Sequence, residues 1–241
     1  MSDYILVGMV VMDKIEVVGE KVRSLLMGDD SGHSMDHIDR VLNLSLKFSE
    51  KEDVDSYVVA LISLLHDVDD YKLFGSECAN NLTNAKRIMN ELDISSDIQE
   101  QVLLALKCIG YSKRLKGIIP ISLEGQIVSD ADMCDAMGIN GILRIYKYSI
   151  KHGKPFFDKD TFPIENITAD NYIKKVADSS VCHMFEKSLK LKKLMVTKVG
   201  REEAEKRHKI MVDFLYHLFE EENVPEWKVY LDNFINTNYE K

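Results

Sequence analysis

The sequence predicts an all-α protein, and two patterns in it support that prediction. Apolar residues recur at spacings of three and four, as Ile98, Val102, Leu106 and Ile109 do in SSDIQEQVLLALKCIG, and this spacing places them on one face of a helix. Stretches that alternate apolar and polar residues over a useful strand length do not occur in the sequence. We therefore expect helices packed against one another, with no sheet.

Particular residues indicate where these helices begin and end. Ser96 followed by Gln99 matches a capping box, and Gly110 supplies a stop. The four prolines fall in predicted loops, and the segment from Gly153 to Ile173 looks irregular, either a lid or a long connection. Helices are predicted over 4–27, 36–49, 54–67, 77–92, 96–109, 121–136, 138–151, 178–196 and 199–223.

The 241 residues show no internal repeat and no flexible linker. This length is compatible with one large helical domain. We therefore predict a single domain over residues 1–241, with a core at about 30–150 and C-terminal helices at about 175–223 packed on it.

Composition narrows the classes of function. The formal charge of −9 argues against a nucleic-acid partner, because such binding depends on neutralising phosphates with basic side chains. No apolar stretch is long enough to span a bilayer, and no signal peptide is recognisable, so we expect a cytoplasmic protein. The four cysteines form no C-x-x-C pair and are expected to be free thiols: Cys78, Cys108, Cys134 and Cys182.

The segment SGHSMDHIDRVLNLSLKF contains the first candidate site residue. As a helix beginning at Asp36, it places His37 on the same face as Val41, Leu44 and Phe48. The imidazole should therefore point toward the core. One interpretation is a core histidine held by one hydrogen bond; the other is a metal ligand.

A second candidate pair ends an apolar helix in SLLHDVDDYK. Val58, Leu61 and Leu65 would bury that helix, which delivers His66 and Asp67 side by side. A buried carboxylate beside a buried imidazole is costly unless it is paired or bound to a metal. The alternative is that the helix end reaches water, with His66 near the negative end of the helix dipole.

A third candidate lies in EGQIVSDADMCDAMG, where Asp130, Asp132 and Asp135 interrupt small and apolar residues. Residues two apart on a helix project to nearly opposite sides, so at most one of Asp130 and Asp132 faces a shared pocket. The pattern does not choose between them, and all three carboxylates being solvated is the plain alternative.

Together the three segments suggest a metal site. Two imidazoles and two carboxylates form a mixed nitrogen and oxygen ligand set for one divalent cation. Such a cation lowers the pKa of bound water and polarises a phosphoryl oxygen. The phosphate loop G-x-x-x-x-G-K-[ST] and the nucleophile elbow G-x-S-x-G are both missing from the sequence, which disfavours kinases, P-loop hydrolases and serine esterases.

The same three segments resemble the HD-domain metal-dependent phosphohydrolases. HIDRV at 37–41, ALISLLHDVDD at 60–70 and SDADMCDAMG at 129–138 are similar to that family's histidine, His-Asp and final aspartate motifs. SLEGQIVSDAD and HMFEKSLKLKKLMVTKVGREEAEKRH are similar to its YedJ/YpgQ-type branch. The resemblance covers residues from about 30 to about 220.

The resemblance implies a single-domain HD-type helical bundle that holds one divalent metal. It selects Asp132 over Asp130, which gives the ligand set His37, His66, Asp67 and Asp132. The implied metal is Mn²⁺, with Mg²⁺, Co²⁺, Ni²⁺ or Fe²⁺ as alternatives. The implied reaction is hydrolysis of a phosphate ester or anhydride, with a nucleotide or similar small phosphorylated molecule as the substrate.

Further residues are predicted around that centre. Asp67 and Asp70 are expected to take part in catalysis, with Asp70 orienting or deprotonating the attacking water, although Asp70 also suits a surface acid. Substrate contacts are predicted for a loop histidine and three basic residues, each of which also suits an ordinary solvated position: His33, Lys72, Lys113 and Arg114.

Two alternatives stay open at this stage. One is a phosphodiesterase or alarmone hydrolase of the same fold, which would differ in its products. The other is a non-catalytic helical binding protein stabilised by the metal, because Ser34, Met133 and Cys134 differ from the family's usual residues. The sequence also leaves room for a homodimer.

Overall fold

The protein is helical throughout the part that the structure describes. The computed structural model describes residues 2–27, 35–164 and 177–239. Within those ranges it contains α-helices, one 3₁₀ helix at Ser188–Leu194 and no strand, so the all-α prediction is confirmed. In chain order the α-helices are α1 (Ser2–Leu25), α2 (Met35–Ser49), α3 (Ser56–Leu65), α4 (Tyr71–Asn81), α5 (Thr83–Glu91), α6 (Ser96–Leu106), α7 (Tyr111–Leu115), α8 (Leu123–Asp135), α9 (Gly138–Lys151), α10 (Ser180–Glu186), α11 (Lys198–Glu221) and α12 (Pro225–Tyr239).

The predicted helix over 77–92 is two helices in the structure. Leu82 adopts a left-handed backbone conformation with φ of 52° and separates α4 from α5. Gly75, with φ of 81°, kinks α4 itself. Leucine rarely adopts positive φ, so helix propensity does not anticipate this break.

Three other predictions differ in detail. The capping box is wrong, because the residue preceding α6 is Ser95 and the Gln99 amide donates instead to the Ile94 carbonyl oxygen at 2.9 Å. The predicted helix over 178–196 is α10 followed by the 3₁₀ helix. The sequence prediction missed α7 and α12.

The chain contacts group into two compact units, Met1–Asp132 and Met133–Lys241. The prediction of a single domain over 1–241 stays a prediction.

In the first unit, α3 is the central element, because every residue from Val58 to Leu65 is buried and the helix packs against α1, α2 and α6. Asp55 caps α3 by accepting from the Tyr57 backbone N–H at 2.8 Å. This buried helix fixes the position of the residues that follow it.

The second unit has an aromatic core. The Trp227 ring is fully buried and lies against rings from several elements: Phe157, Phe162, Phe185, Phe219 and Tyr230. Its indole N–H donates to the Lys159 carbonyl oxygen at 3.0 Å. The helix α11 packs against α9, α12 and the 3₁₀ helix, so it joins the elements of this unit.

Two expectations from the composition concern membrane helices and cysteines. Among the helices within the described ranges, none combines the length and the apolar character needed to cross a membrane. All four cysteines fall in described ranges and form no disulfide there, with Cys134 and Cys182 buried and the other two half-buried.

Candidate metal centre

The helix α2 carries His37 into the interior of the first unit. As predicted, His37 shares its buried face with Val41, Leu44 and Phe48, while Asp36 is exposed on another side. The position of the imidazole follows from the helical period, because residues four apart lie above one another on the same face of the helix. His37 is only 2% exposed.

The end of α3 presents His66 and Asp67. The His66 side chain is 1% exposed, whereas the Asp67 side chain is 14% exposed, so the imidazole at this helix end is buried and water reaches only the carboxylate. Its Nδ1 lies 2.7 Å from the Ser63 carbonyl oxygen. A carbonyl oxygen only accepts, so Nδ1 donates to it, and Nε2 is the ring nitrogen that faces His37.

Four side chains converge at this point. The Nε2 atoms of His37 and His66 are 3.2 Å apart. Asp67 Oδ2 lies 3.5 Å from each of them. Asp132 Oδ1 lies 3.4 Å from His37 Nε2 and 4.0 Å from His66 Nε2. The imidazoles are buried, while the carboxylates of Asp67 and Asp132 are 14% and 22% exposed, so solvent reaches the group from the carboxylate side.

This arrangement fits a single divalent cation. Atoms that bind one such ion at about 2.1 Å lie roughly 3–4 Å from one another, and the distances between the histidine and carboxylate atoms fall in that range. The Ser63 carbonyl also gives His66 the outer hydrogen bond that orients histidine ligands. His37, His66 and Asp132 each offer a ligand atom within 4.8 Å of the others.

The structure separates the two aspartates that the pattern left open. Asp132 lies beside the histidines, whereas Asp130 is fully buried and its Oδ1 accepts from Arg114 at 3.1 Å. Asp135 is buried as well and pairs with Arg144. The alternative in which all three carboxylates are solvated is therefore wrong.

The electrostatics of Asp132 favour its ionised form. Burial raises the pKa of this carboxyl, but hydrogen bonding with His37 and the charges of His66 and His37 outweigh burial. The pKa of Asp132 therefore lies below its ordinary value. A carboxylate that stays ionised is the form that binds a cation.

The turn after His66 and Asp67 is held by a residue that the sequence did not single out. Asp69 is 6% exposed and accepts hydrogen bonds from the backbone N–H groups of Asn84 at 2.8 Å and Ala85 at 3.0 Å. The Cys78 thiol contacts the same carboxylate at 3.0 Å. Asp69 thus ties the turn to the start of α5, and only its place in the acidic run DVDD marked it beforehand.

The predicted catalytic and substrate residues occupy different environments. Asp70 is half-buried and caps α4, accepting from the Lys72 backbone N–H at 2.8 Å. Lys72 and Lys113 are exposed. Arg114 is 5% exposed and paired with Asp130, so the alternative of an ordinary solvated position is wrong for this residue, and its predicted contact with substrate stays a prediction. His33 lies outside the described residues.

Comparisons with known proteins agree with this fold. A crystal structure of an HD-superfamily hydrolase from Bacillus thuringiensis is 30% identical, with a TM-score of 0.69, and the match covers 89% of this chain and 99% of that one. A crystal structure from Lactobacillus plantarum is 28% identical, with a TM-score of 0.73, over 90% of this chain and 98% of that one. No family model matches the chain.

A third relative is the Bacillus subtilis protein YpgQ. It is 28% identical over 218 residues, which cover 89% of this chain and 95% of YpgQ. A crystal structure of YpgQ in complex with ADP has a TM-score of 0.65 and 27% identity, over 88% of this chain and 96% of that one.

A helical fold that gathers two histidines and two aspartates around one point is typical of metal-dependent hydrolases. This chain belongs to the HD superfamily of hydrolases, in the branch that contains YpgQ, and is a metal-dependent phosphohydrolase.

Proposed function

We propose that the enzyme hydrolyses a phosphate ester or anhydride of a nucleotide, and that His37, His66, Asp67 and Asp132 hold one divalent ion for this reaction. The observation that carries the proposal is the convergence of the two Nε2 atoms, 3.2 Å apart, with carboxylate oxygens of Asp67 and Asp132. The likeness to HD-domain phosphohydrolases favours Mn²⁺, and because a mixed set of nitrogen and oxygen donors suits several divalent ions, Mg²⁺, Co²⁺, Ni²⁺ and Fe²⁺ are the alternatives to test.

The chemistry divides between the ion and the protein. When bound, a divalent ion lowers the pKa of a coordinated water and polarises a phosphoryl oxygen. The protein orients the site: the Ser63 carbonyl fixes the His66 ring, and the Asp69 carboxylate holds the turn that carries Asp67. Buried imidazoles on one side leave the carboxylate side for the substrate.

Asp70 is the residue we propose as the proton acceptor. It lies three residues after Asp67, and its backbone N–H donates to the Asp67 carbonyl oxygen at 3.1 Å, so the two are held in one turn. In this step the water oxygen forms a bond to phosphorus, the bond to the leaving oxygen breaks, and Asp70 takes the proton of the water.

A nucleotide substrate is supported by the relative that binds one. YpgQ has been crystallised with ADP, and this chain resembles it over most of its length. We propose that Lys72, exposed on the first turn of α4 beyond Asp70, and the exposed Lys113 contact the substrate phosphates. His33 remains a further candidate for the same role.

The test is a turnover screen. Enzyme stripped of metal with a chelator is supplied separately with each of the five ions and offered nucleoside mono-, di- and triphosphates. Products are separated by chromatography: inorganic phosphate identifies a phosphatase, and pyrophosphate together with a nucleoside monophosphate identifies a pyrophosphohydrolase. A cyclic nucleotide added to the panel and opened to a monophosphate identifies a phosphodiesterase.

Three variants test whether metal binding and turnover depend on the proposed ligands. His66→Ala and Asp67→Ala should lose metal binding and turnover together, whereas His152→Ala, which removes an exposed histidine on another element, should keep both. Turnover that survives intact in His66→Ala and Asp67→Ala would refute the proposed mechanism. Metal-dependent melting without turnover on any phosphate would indicate a non-catalytic binding protein.

A further inference from the structure

The loop that follows α7 exposes a group of isoleucines. Ile118, Ile119 and Ile121 are 38%, 43% and 96% exposed. Single exposed apolar residues are ordinary on a protein surface, but three aliphatic side chains at one turn of the chain indicate a surface that contacts something apolar. Lys116 is exposed directly before them. We call Lys116, Ile118, Ile119 and Ile121 the loop patch.

The end of α7 fixes the direction in which the loop patch leaves the helix. The backbone N–H of Ile118 donates to the Lys113 carbonyl oxygen at 3.0 Å, and that of Gly117 donates to the Arg114 carbonyl oxygen at 2.9 Å. Gly117 has φ of 73°, so this turn has the paired hydrogen bonds and the left-handed glycine that commonly end a helix. The Arg114 side chain is buried and paired with Asp130, which holds the turn on the body of the first unit.

A buried proline fixes the middle of the loop patch. Pro120 lies between two exposed isoleucines and is buried itself. It packs so closely on α8 that a Cβ at Gly125 would lie 2.7 Å from the Pro120 Cβ. The Gln126 side-chain amide donates to the Pro120 carbonyl oxygen at 3.0 Å. The fold therefore holds the isoleucines on either side of Pro120 in solvent.

The charge around the loop patch is opposite to the charge of the whole chain. The chain has 40 acidic residues and a formal charge of −9. No acidic residue falls within 101–123, and this stretch contains Lys107, Lys113, Arg114 and Lys116. Lys113 and Lys116 are exposed beside the isoleucines. Charges farther away than about 8 Å are largely screened at physiological salt, so distant acids do not cancel this local positive charge.

We propose that the loop patch docks the enzyme on an anionic lipid bilayer. In the docked state the isoleucines enter the boundary between headgroups and acyl chains, and the exposed lysines face lipid phosphates. Docking of this kind depends on two weak signals acting together, one apolar and one basic. The loop patch supplies both signals on a backbone that is already held in place.

The composition of the loop patch favours a bilayer over other macromolecules. Protein interfaces are enriched in aromatic residues and arginine and depleted in lysine. Proteins that hold single-stranded nucleic acids stack the bases on aromatic side chains. The loop patch instead combines isoleucine with lysine and contains no aromatic residue. This combination suits acyl chains that lie beneath charged headgroups.

The size of the loop patch sets the affinity that we expect. A single myristoyl chain binds a bilayer only reversibly, with a constant of about 10⁴ M⁻¹, and three partly inserted isoleucines offer less apolar surface. We therefore expect reversible docking that is half complete at about a millimolar lipid. The enzyme then exchanges between the bilayer and solution.

Co-sedimentation of the full chain with sucrose-loaded vesicles tests the proposal. Wild-type protein should pellet with vesicles made of equal parts phosphatidylglycerol and phosphatidylcholine, and much less with phosphatidylcholine alone. Ile121→Ser should weaken binding about tenfold, because it removes the most exposed apolar side chain. Lys116→Glu should weaken it at least about fivefold, because each basic residue near an anionic surface contributes roughly that factor. Added salt should weaken docking as well.

Two matched variants separate docking from a general change of the surface. Val229→Ser removes an apolar side chain that is 58% exposed, with the exposed acids Glu226 and Asp232 one turn away on α12. Lys51→Glu makes the same change of charge as Lys116→Glu, but within the acidic stretch SEKEDVD. Both variants should bind vesicles like wild type. Thermal unfolding followed by circular dichroism should be the same for all four variants.

A fluorescent reporter distinguishes insertion from attraction at the surface. Ile119→Trp places an indole in the loop patch, and its emission should shift to shorter wavelengths when the anionic vesicles are added. The natural Trp227 is fully buried, so wild-type protein supplies the baseline and its emission should not shift.

Four results would overturn the proposal. Wild-type protein that stays in the supernatant at several millimolar anionic lipid does not dock. Binding that Ile121→Ser leaves unchanged uses another surface, and an Ile119→Trp emission that does not shift rejects insertion. Retention of wild-type protein on single-stranded DNA without vesicle binding would assign the loop patch to nucleic acid instead. None of these readouts depends on metal binding or turnover, so the proposed function is tested separately.

Discussion

The Asp69 carboxylate accepts from the Asn84 backbone N–H at 2.8 Å, and the Asn84 side-chain amide donates in return to the Val68 carbonyl oxygen, also at 2.8 Å. This reciprocal pair joins the turn that follows His66 and Asp67 to the first residues of α5. Because the turn carries a candidate metal ligand, its geometry depends on a residue that has no place in the ligand set.

Asp69→Ala should therefore weaken both the fold and the site. The variant leaves the N–H groups of Asn84 and Ala85 without their acceptor, and we expect the free energy of unfolding to fall by about 1–3 kcal/mol. Metal affinity should fall about tenfold or more, as it does when partners that orient ligands are lost. Urea unfolding followed by circular dichroism and titration calorimetry measure the two effects. Asp97→Ala, an exposed acid on α6, should change neither, and equal losses in both variants would contradict this role for Asp69.

Two of the aspartates of α8, Asp130 and Asp132, should respond in opposite ways to removal. Asp132→Ala should abolish metal binding and leave the fold intact, since this carboxylate is partly exposed. Asp130→Ala should lower the free energy of unfolding by about 3–5 kcal/mol, because it removes the buried carboxylate that faces the Arg114 guanidinium. Metal titration and urea unfolding of both variants separate the roles. The assignment fails if Asp130→Ala is the one that loses metal binding at full stability.

His208 should make the second unit sensitive to mild acid. Burial, followed by the charge of Lys192, lowers the pKa of His208 from 6.5 to about 4, although Glu205 opposes the shift. Between those values the unfolded chain binds a proton that the folded chain does not, so stability is full above about pH 6.5 and falls as the pH drops toward 4, by up to about 3 kcal/mol.

Urea unfolding at several pH values measures this loss. His208→Gln should flatten the dependence in that window, while His217→Gln, which changes an exposed histidine on the same helix, should keep it. A wild-type stability that does not change between pH 6.5 and 4 would show that His208 takes up its proton without cost.

Two glycines allow a matched test of packing. A Cβ at Gly141 would lie 2.5 Å from the backbone carbon and oxygen of Ala136, whereas a Cβ at Gly19 would meet nothing nearer than a Leu64 methyl at 4.0 Å. Gly141→Ala should lower the free energy of unfolding by about 2 kcal/mol or more, because backbone must move. Gly19→Ala should raise it by about 0.5–1 kcal/mol, since alanine suits a helix interior better. Circular dichroism during urea unfolding measures both, and a stabilised Gly141→Ala would mean that α9 shifts freely.

Helix faces were predictable from the sequence, because the period of 3.6 residues fixes them. That period alone predicts that His37 shares one face with Val41, Leu44 and Phe48. It also predicts that the helix ending at His66 is buried. The helix α12 was also within reach: Pro225 at its first position and the buried Trp227 and Leu231 are the expected signals. The sequence prediction places Pro225 in a loop instead.

The sequence could not show which side chains pair with partners that lie far away along the chain. Arg114 sits in the basic run SKRLKG, which looks solvated, and its partner Asp130 is 16 residues away. The choice between Asp130 and Asp132 depends on the same ion pair between Arg114 and Asp130. Their spacing shows only that the two side chains project to nearly opposite sides of the helix. The break at Leu82 is a tertiary effect too, since a leucine with positive φ contradicts its own propensity.

The chain has a single tryptophan, and that residue lies in the aromatic core of the second unit, ringed by five other aromatic side chains. Intrinsic tryptophan fluorescence is therefore a spectroscopic reporter for residues 133–241 alone. A denaturation curve recorded by fluorescence and one recorded by circular dichroism need not coincide, and any gap between their midpoints would show that the unit carrying His37 and His66 melts on its own.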